Sequence, residues 1–322
     1  MQISLVLNLD DGHDGSPVDA AVDTVATAYD GGFHRVWMPQ MPWEPDLLTV
    51  LAVAFREVPD VEIGTAVLPI QLQHPVLMAQ RALTVNVVAD GRLLLGIGLN
   101  HRSIVEDQWG IRWYKPVQRL HEYLDGLLPL LSDQTADATG DQVTTRTTVT
   151  IPGAPAPPVY VAALGPHMLD LAGRRSAGTI TWMTGPNTVA RHIAPRLREA
   201  EHRAGRVRGA ARVVTAVPVC VTDEPDRTRA LAADQFAIYG ELPSYRSTLD
   251  REGYRGPEEA ALIGDEATVR ERINSFKASG VDEFAAYVFG SGEQRARTRT
   301  LLRALQSEQA PSDAAASRSA DV

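Results

Sequence analysis

The sequence predicts a (β/α)8 or TIM barrel, in which eight parallel strands close into a cylinder and a helix follows each strand. Two observations support this fold class. Short apolar segments of strand character alternate with amphipathic stretches along nearly all of the 322 residues, which is typical of a parallel sheet with helical crossovers. Eight such units are present, and eight units close into a barrel more readily than they form an open sheet.

The predicted strands are short apolar runs. They lie at 2–9, 34–38, 61–68, 92–99, 158–164, 178–183, 212–221 and 282–289. The fourth includes Leu93-Leu94-Leu95-Gly96-Ile97, which is apolar without alternation. This pattern is expected when one face of a strand fills the barrel and the other face meets helices.

The predicted helices begin mostly at proline, which the first helical turn tolerates. They start near Pro17, Asp46, Pro75, Pro116, Pro166, Pro186, Pro225 and Gly292. The first helix shows the local reason, because Ser16 can cap it and Gly31-Gly32 can end it. Between these signals, apolar residues from Val18 to Ala26 form one stripe.

Two insertions interrupt this alternation. Residues 133–158 are rich in threonine and then in proline, and 143–151 can form a hairpin over the barrel mouth. Residues 240–263 separate the seventh strand from the helix before the eighth. Insertions in the βα loops of such barrels lie at the catalytic face, so both are candidates for lids or substrate walls. A role in packing or in a subunit contact is an equally open interpretation.

Composition limits the partners. The net charge is -9 at pH 7, and no block of Lys or Arg could neutralise phosphates, so we expect a small-molecule substrate and no nucleic acid. The single cysteine, Cys220, excludes an internal disulfide, and we expect it to be a buried strand residue. The sequence has no His-x-x-x-His pair for a metal and no Gly-x-Ser-x-Gly turn of a serine hydrolase.

One domain is expected over residues 1–306, followed by a flexible C-terminal tail over 307–322. The tail is rich in Ala, Ser and Asp and lacks periodicity. No apolar run reaches the roughly 18 residues of a membrane span, and the N-terminus lacks the basic start of a secretory signal. We therefore expect a cytoplasmic protein without a membrane partner.

Several motifs resemble those of one enzyme family. Gly91-Arg92, the apolar fourth strand and the turn Gly96-Ile97-Gly98 are similar to the strand-four signature of the luciferase-like monooxygenase family. Further similar segments follow in order between about residue 2 and residue 305, at 32–39, 63–68, 74–75, 161–166, 177–180, 264–266 and 281–283. Within the family, the chain most resembles the coenzyme F420-dependent actinobacterial members, through Gly98 to His101 and Trp182 to Pro186.

This resemblance implies an oxidoreductase, usually a homodimer, that binds the deazaflavin F420 and exchanges a hydride with a small organic molecule. It places the ring against a third-strand bulge at Thr65, Ala66 and Val67, with a non-prolyl cis peptide at Ala66-Val67. An ordinary barrel strand is the alternative there. Gly96 and Gly98 would let the fourth-strand loop approach the ring, although tight turns explain glycines equally well.

The phosphate on the cofactor tail would lie after the fifth strand. The residues implied are Ala162, Ala163, Leu164 and Gly165. They precede the helix at Pro166, whose first N–H groups can bind an anion. Gly178 and Thr179, taken as the end of the sixth strand, would complete this pocket.

The catalytic candidates follow from a departure from the family pattern. In the family's sugar-phosphate and alcohol dehydrogenases, a His after strand two and an acid after strand four serve the hydroxyl proton, but these places read Gln40-Met41 and Leu99 here. The difference favours reduction of an activated C=C or C=N bond. His101 is the candidate to donate a proton or contact the ring, and Gln40 is the candidate for a hydrogen bond to ring or substrate.

Other side chains have a simpler interpretation. Glu106 could orient His101, but a pair with a surface Arg is the more common role. His74 is more often a helix-start residue than a catalyst, and Trp43 and Trp109 could line a substrate pocket or only pack.

Two other functions stay open. An FMN-dependent monooxygenase of the same fold would use reduced flavin and oxygen. A non-catalytic deazaflavin-binding protein would keep the barrel and lack the acid–base pair. A comparison of FMN and F420 binding distinguishes the monooxygenase from an F420 reductase. Oxidation of reduced F420 by an acceptor distinguishes a reductase from the non-catalytic binding protein.

Overall fold

The computed structural model describes residues 1–9 and 16–308, which form a closed barrel of parallel strands. The barrel strands are β1 (Gln2–Val6), β2 (Arg35–Met38), β3 (Glu62–Thr65), β4 (Leu93–Gly98), β5 (Val159–Ala162), β6 (Gly178–Trp182), β7 (Arg212–Val221) and β8 (Glu283–Val288). Neighbours pair in chain order, and β8 closes the ring by pairing with β1. The predicted fold class is confirmed, as is the position of every predicted strand.

Helices surround the barrel, and most of them bury their apolar faces against its outer surface. They are α1 (Pro17–Asp30), α2 (Leu47–Glu57), α3 (Pro75–Val88), α4 (Pro116–Leu131), α5 (Pro166–Arg175), α6 (Pro186–Thr188), α7 (Ala194–Arg203), α8 (Pro225–Gln235), α9 (Ala237–Glu241), α10 (Pro243–Glu252), α11 (Glu266–Ser279) and α12 (Gly292–Ser307). A π-helical turn, Val189–Ile193, joins α6 to α7, a second is Ile104–Gln108, and Pro257–Glu259 is a 3-10 turn. The predicted helix starts are confirmed, and Ser16 and Asp46 each accept a first-turn N–H as N-caps.

Inward-facing side chains fill the barrel in layers. At the amino-terminal end, the fully buried carboxylate of Glu283 accepts from Ser4 Oγ at 2.7 Å and Trp37 Nε1 at 2.6 Å, and it pairs with Arg35 at 2.9 Å. A buried charge is tolerated where such partners replace water. Apolar side chains that include Leu94 and Tyr160 lie above this layer. The lower barrel is therefore filled, and a site can form only toward the carboxyl ends of the strands.

The first insertion forms a hairpin, but the predicted position is wrong. Its strands are Ala136–Ala138 and Thr145–Thr147, not two strands within 143–151. The hairpin lies on the outside of α3 and α4, because Thr145 packs against Gly126 and His74 Nε2 donates to the carbonyl oxygen of Thr144 at 3.0 Å. The insertion follows α4 and precedes β5, so its predicted place in a βα loop is wrong and it lies in an αβ connection. Of the two open interpretations, the structure supports packing for this insertion. His74 also caps α3, as a helix-start residue.

The second insertion contains α9, α10 and a short strand, Leu262–Gly264, that pairs with the end of β7. Cys220 lies in β7 and is fully buried, which confirms its predicted place. Burial raises the pKa of the Cys220 thiol to about 11. The thiol is therefore protonated and serves as a core side chain.

The helix α12 includes Ser307, so helical structure extends one residue past the predicted domain end at 306. Residues 309–322 of the predicted tail lie outside the described residues. Within the described ranges, no helix combines the length and the apolar character that crossing a membrane requires.

Candidate active site

The carboxyl end of the barrel has an apolar floor. Val6, Ala66, Val67, Ala162 and Trp182 pack against the interior cluster, yet each keeps part of its surface exposed. Because these side chains face the barrel axis, their exposure means that solvent reaches the floor through the mouth.

A break in the third strand shapes this floor. β3 ends at Thr65, and pairing with β4 resumes at Leu68 after a cis peptide bond between Ala66 and Val67. The predicted bulge and its cis peptide are confirmed. Thr65 is fully buried; its Oγ1 donates to the Gly96 carbonyl oxygen at 2.7 Å and accepts from the Gly96 N–H at 2.8 Å. Its hydroxyl therefore ties the bulge to β4.

Gly96 and Gly98 allow β4 to pass close to the bulge. A Cβ atom on Gly98 would lie 2.9 Å from both Ala162 Cβ and Val67 Cγ2, and one on Gly96 would lie 1.8 Å from the Thr65 carbonyl oxygen. Neither place accepts a side chain without displacement of the floor. The structure thus brings Val67, Gly98 and Ala162 together, and their contact with a ring stays a prediction.

The helix α5 begins beside the floor, four residues after the end of β5. Gly165 is its N-cap, and among the described residues no side chain caps this end. A Cβ atom on Gly165 would meet nothing within 4 Å, so the space before the first turn is open. Uncapped N–H groups at a helix start attract anions. The predicted tail site, Ala162 to Gly165, therefore leads to an uncapped helix start, and binding of an anion there stays a prediction.

The predicted position of Gly178 and Thr179 is wrong. β6 begins at Gly178 and ends at Trp182, so both residues lie at the amino-terminal end of the strand and not at its mouth end. Gly178 pairs with Arg212, and the buried Thr179 hydroxyl donates to the Val161 carbonyl oxygen at 2.9 Å. The strand continues to Trp182 because Ile180 and Trp182 face the interior cluster.

The mouth end of β6 leads instead into α6, whose first N–H groups are already bound. Glu252 of α10 accepts from the N–H groups of Asn187 at 3.0 Å and Thr188 at 2.6 Å. A Cβ atom on Gly185 would lie 2.4 Å from the Glu252 carboxyl carbon, so glycine leaves room for this contact. The second insertion is thus fastened across the mouth.

His192 links the two helix starts. It lies on the π-helical turn after α6, where its Nε2 donates to the Leu164 carbonyl oxygen at 2.8 Å and its Nδ1 accepts from Arg196 Nε at 3.0 Å. Burial lowers the pKa of His192 below 6.5. The neutral ring therefore holds the loop after β5 against the helix after β6.

The Gln40 amide is engaged in its own loop. Its Oε1 accepts from the Leu47 N–H at 2.7 Å, and its Nε2 donates to the carbonyl oxygens of Met41 at 2.9 Å and Pro45 at 3.1 Å. These bonds position the segment that leads into α2. Contact of Gln40 with ring or substrate stays a prediction. Trp43 in the same loop is 71% exposed.

His101 lies at the mouth, three residues after β4. Its backbone N–H donates to Asn100 Oδ1 at 2.7 Å, and its ring packs edge to face on Tyr245 with centroids 5.9 Å apart. Burial lowers the pKa of His101 below 6.5, so the imidazole is neutral at pH 7. Glu106 does not orient it, because the Glu106 carboxylate pairs with Arg102 at 2.7 Å.

Gln71 is a second polar group at this rim. It follows the bulge and is only 8% exposed, and its Oε1 accepts from the Asn100 N–H at 3.5 Å. Its buried Nε2 has no hydrogen-bond partner among the described residues. An unpaired buried donor costs free energy unless a ligand supplies an acceptor, so Gln71 is a candidate binding residue.

The sequence profile of the luciferase-like monooxygenase family matches residues 2–283. The chain belongs to this family. This luciferase-like oxidoreductase is 27% identical to the F420-dependent glucose-6-phosphate dehydrogenase of Nakamurella multipartita over 272 residues, which cover 80% of this chain and 78% of the relative.

Solved structures show the same fold. The coenzyme F420-dependent tetrahydromethanopterin reductase of Methanopyrus kandleri aligns with a TM-score of 0.77 at 19% identity, over 93% of this chain and 97% of that one. The EDTA monooxygenase of Chelativorans sp. also gives 0.77, at 14% identity, over 95% and 94% of the two chains.

Sequence reasoning missed three features of this luciferase-like oxidoreductase: Gln71, Glu252 and the tyrosines of the second insertion. The Glu252 contact joins residues 65 positions apart, which no local pattern reveals. The tyrosines had a signal, because Tyr245 and Tyr254 lie in the segment 240–263, which was already singled out as a possible wall, and Tyr239 directly precedes it.

Proposed function

We propose that this luciferase-like oxidoreductase binds coenzyme F420 at the barrel mouth and reduces an activated C=C or C=N bond of a small organic molecule. The observation that carries the proposal is the apolar floor of Val67, Gly98 and Ala162 beside the uncapped start of α5. A planar ring needs an apolar wall, and an anionic tail needs N–H donors. The F420-dependent relative favours a deazaflavin over a flavin.

The residues present fit this cofactor. Ala162 belongs to the floor and Gly165 to the helix start, so one short segment serves both the ring and the tail phosphate. Bound in its reduced form, F420 supplies a hydride, which carries two electrons and one hydrogen. The protein must then deliver the second hydrogen as a proton.

We assign the proton to His101 and the polarising hydrogen bond to Gln71. The unpaired Nε2 of Gln71 can donate to an oxygen conjugated with the reducible bond, which draws electron density away from it. Since the pKa of His101 is lowered, its protonated fraction falls as pH rises through a value below 6.5. We expect kcat to fall over the same range.

The choice of cofactor is tested by titrating the protein with oxidised F420 and, separately, with FMN. The fluorescence of each cofactor reports its binding. We expect F420 to bind more tightly by about tenfold or more, roughly 1.4 kcal/mol. Tighter binding of FMN would contradict the proposal and favour a flavin monooxygenase. If reduced F420 binds but no electron-poor alkene or imine oxidises it, the result would favour the non-catalytic binding protein.

A pair of variants at Gly165 tests the tail site. Gly165→Glu places a carboxylate before α5, where it competes for the N–H groups and repels phosphate, and we expect F420 affinity to fall about tenfold. Gly165→Ala is the matched control, because its φ of -84° and the open space accept a methyl group. If both variants bind F420 like the parent, the tail lies elsewhere.

A further inference from the structure

A line of aromatic rings closes one side of the mouth. Tyr245 packs against His101 at 5.9 Å and against Tyr239 at 5.0 Å, and Tyr239 packs against Trp182 at 5.8 Å, all edge to face. The line therefore runs from the end of β4 to the end of β6. Because β5 lies between these strands, the line crosses the end of β5, where Ala162 contributes to the floor.

We infer that the substrate is a planar, uncharged aromatic molecule held against this line of rings, and that Tyr245 sets this specificity. The inference rests on the proposed function, since it names the class of molecule that the same site reduces. The reduced bond is conjugated with the aromatic ring. The hydride from reduced F420 adds to one of its two atoms, a proton adds to the other, and oxidised F420 is left.

The position of Tyr245 is fixed by anchors elsewhere on α10. Glu252 binds the start of α6, and Arg246 donates to the carbonyl oxygens of Tyr254 at 2.6 Å and Arg255 at 2.8 Å. The first contact fastens the last residue of α10 to α6, and the second holds the segment after α10 against its first turn. Tyr245 is therefore presented to the mouth as a fixed ring, which loses little conformational entropy when a ligand binds.

The line of rings is electrically neutral. Burial raises the pKa of Tyr239 and of Tyr245 above the ordinary 10, so both phenols stay protonated. On α10, Arg246 pairs with Asp250 at 2.8 Å, and Glu252 accepts backbone N–H groups of α6.

This neutrality selects the substrate class. A charged ligand would lose hydration at these rings without gaining a counter-charge. An uncharged ring instead gains edge-to-face or offset contacts with the tyrosines. A planar aromatic ligand is therefore favoured over both an ionic and a saturated one.

Three probes test this inference on the chain loaded with oxidised F420: acetylnaphthalene, cyclohexyl methyl ketone and naphthoate. Their dissociation constants are measured by the change in F420 fluorescence. We expect acetylnaphthalene to bind most tightly, and Tyr245→Ala to weaken it about tenfold through the lost ring contact and apolar area. Tyr245→Phe should bind like the parent, and Ile238→Ala, at an exposed place on α9, controls for nonspecific effects.

The inference is overturned if the cyclohexyl ketone or naphthoate binds as tightly as acetylnaphthalene, or if Tyr245→Ala weakens all three equally. The readout is binding, so it does not depend on turnover. If F420 itself fails to bind, the proposed function fails, and the same titrations followed by tryptophan fluorescence still decide the preference for aromatic ligands.

Discussion

A glutamate helps to hold each of the two insertions of this barrel, but the two glutamates act in opposite directions. In the first, Glu122 of α4 accepts the N–H groups of Gln142 and Val143 at 2.8 and 3.0 Å, so the helix holds the hairpin. In the second, Glu252 of the insertion accepts the N–H groups at the start of α6, so the insertion holds the helix. The first insertion lies between α4 and β5, in an αβ connection, whereas the second lies between β7 and α11, at the carboxyl end of β7. The carboxyl ends of the strands form the mouth, so of these two insertions the second is the one placed to take part in a site.

The largest expected effect is a loss of stability when the Glu122 carboxylate, which holds the first insertion, is removed. Glu122→Ala removes the acceptor of the buried Val143 N–H and of the half-buried Gln142 N–H, and we expect the free energy of unfolding to fall by about 3 kcal/mol. Urea unfolding measures the change. Because the hairpin lies outside the barrel, we expect the F420 affinity to stay unchanged. A changed affinity would show that the first insertion also contributes to the site, which would contradict this comparison.

Glu122→Gln is the control, and it predicts a pH dependence. Burial acts to raise the pKa of Glu122, but hydrogen bonds from the Gln142 N–H, the Gln118 side chain and the Val143 N–H outweigh it and hold the pKa below 4.5. A lowered folded-state pKa stabilises the protein above pH 4.5, and this stabilisation is lost as pH falls below it. In Glu122→Gln this part of the acid sensitivity should vanish.

A smaller effect, on ligand binding, is expected when Glu252, which holds the second insertion, is replaced. Glu252→Ala frees α10 from α6, and we expect acetylnaphthalene to bind about tenfold more weakly to the F420-loaded chain, with a stability loss of about 1 kcal/mol for the lost cap. Glu252→Gln keeps one acceptor oxygen and should lose less. Unchanged affinity in Glu252→Ala would show that the second insertion, like the first, serves packing alone.

The smallest expected change is in the titration of His101. Tyr245 covers this ring, so Glu252→Ala should expose it and let the pKa of His101 rise toward 6.5. Proton NMR of the imidazole measures this shift. Glu122→Ala provides the comparison, since its hairpin does not contact His101, and an equal shift in both variants would mean a general loosening of the fold.

The barrel was predictable because its signals are local. Each strand is an apolar run and most helices begin with a proline, so the order of elements follows from the chain alone. The bulge at Ala66-Val67 was predicted through the family resemblance, not through local pattern. The error at Gly178 and Thr179 did not come from the chain, because the predicted strand 178–183 begins at these residues and the carboxyl end of a barrel strand faces the mouth.

The candidate site was less predictable, because it depends on contacts between distant segments. The Gln40 side chain is used by its own loop, and the unpaired donor of Gln71 becomes visible only when Asn100 is placed beside it. The hairpin has a similar explanation. Its threonine-rich sequence predicts strands, but the carboxylate of Glu122, about twenty residues earlier, decides where those strands lie.

The hydrogen bond from His192 to Leu164 has a mechanical consequence. The loop that would carry the cofactor tail and the helix that receives Glu252 are joined by one imidazole, so neither can shift without the other. A ligand that displaces Leu164 would also displace α10, because the π-helical turn and α6 connect the two. Occupancy of one half of the mouth would thus be transmitted to the other half through a neutral ring rather than through charge.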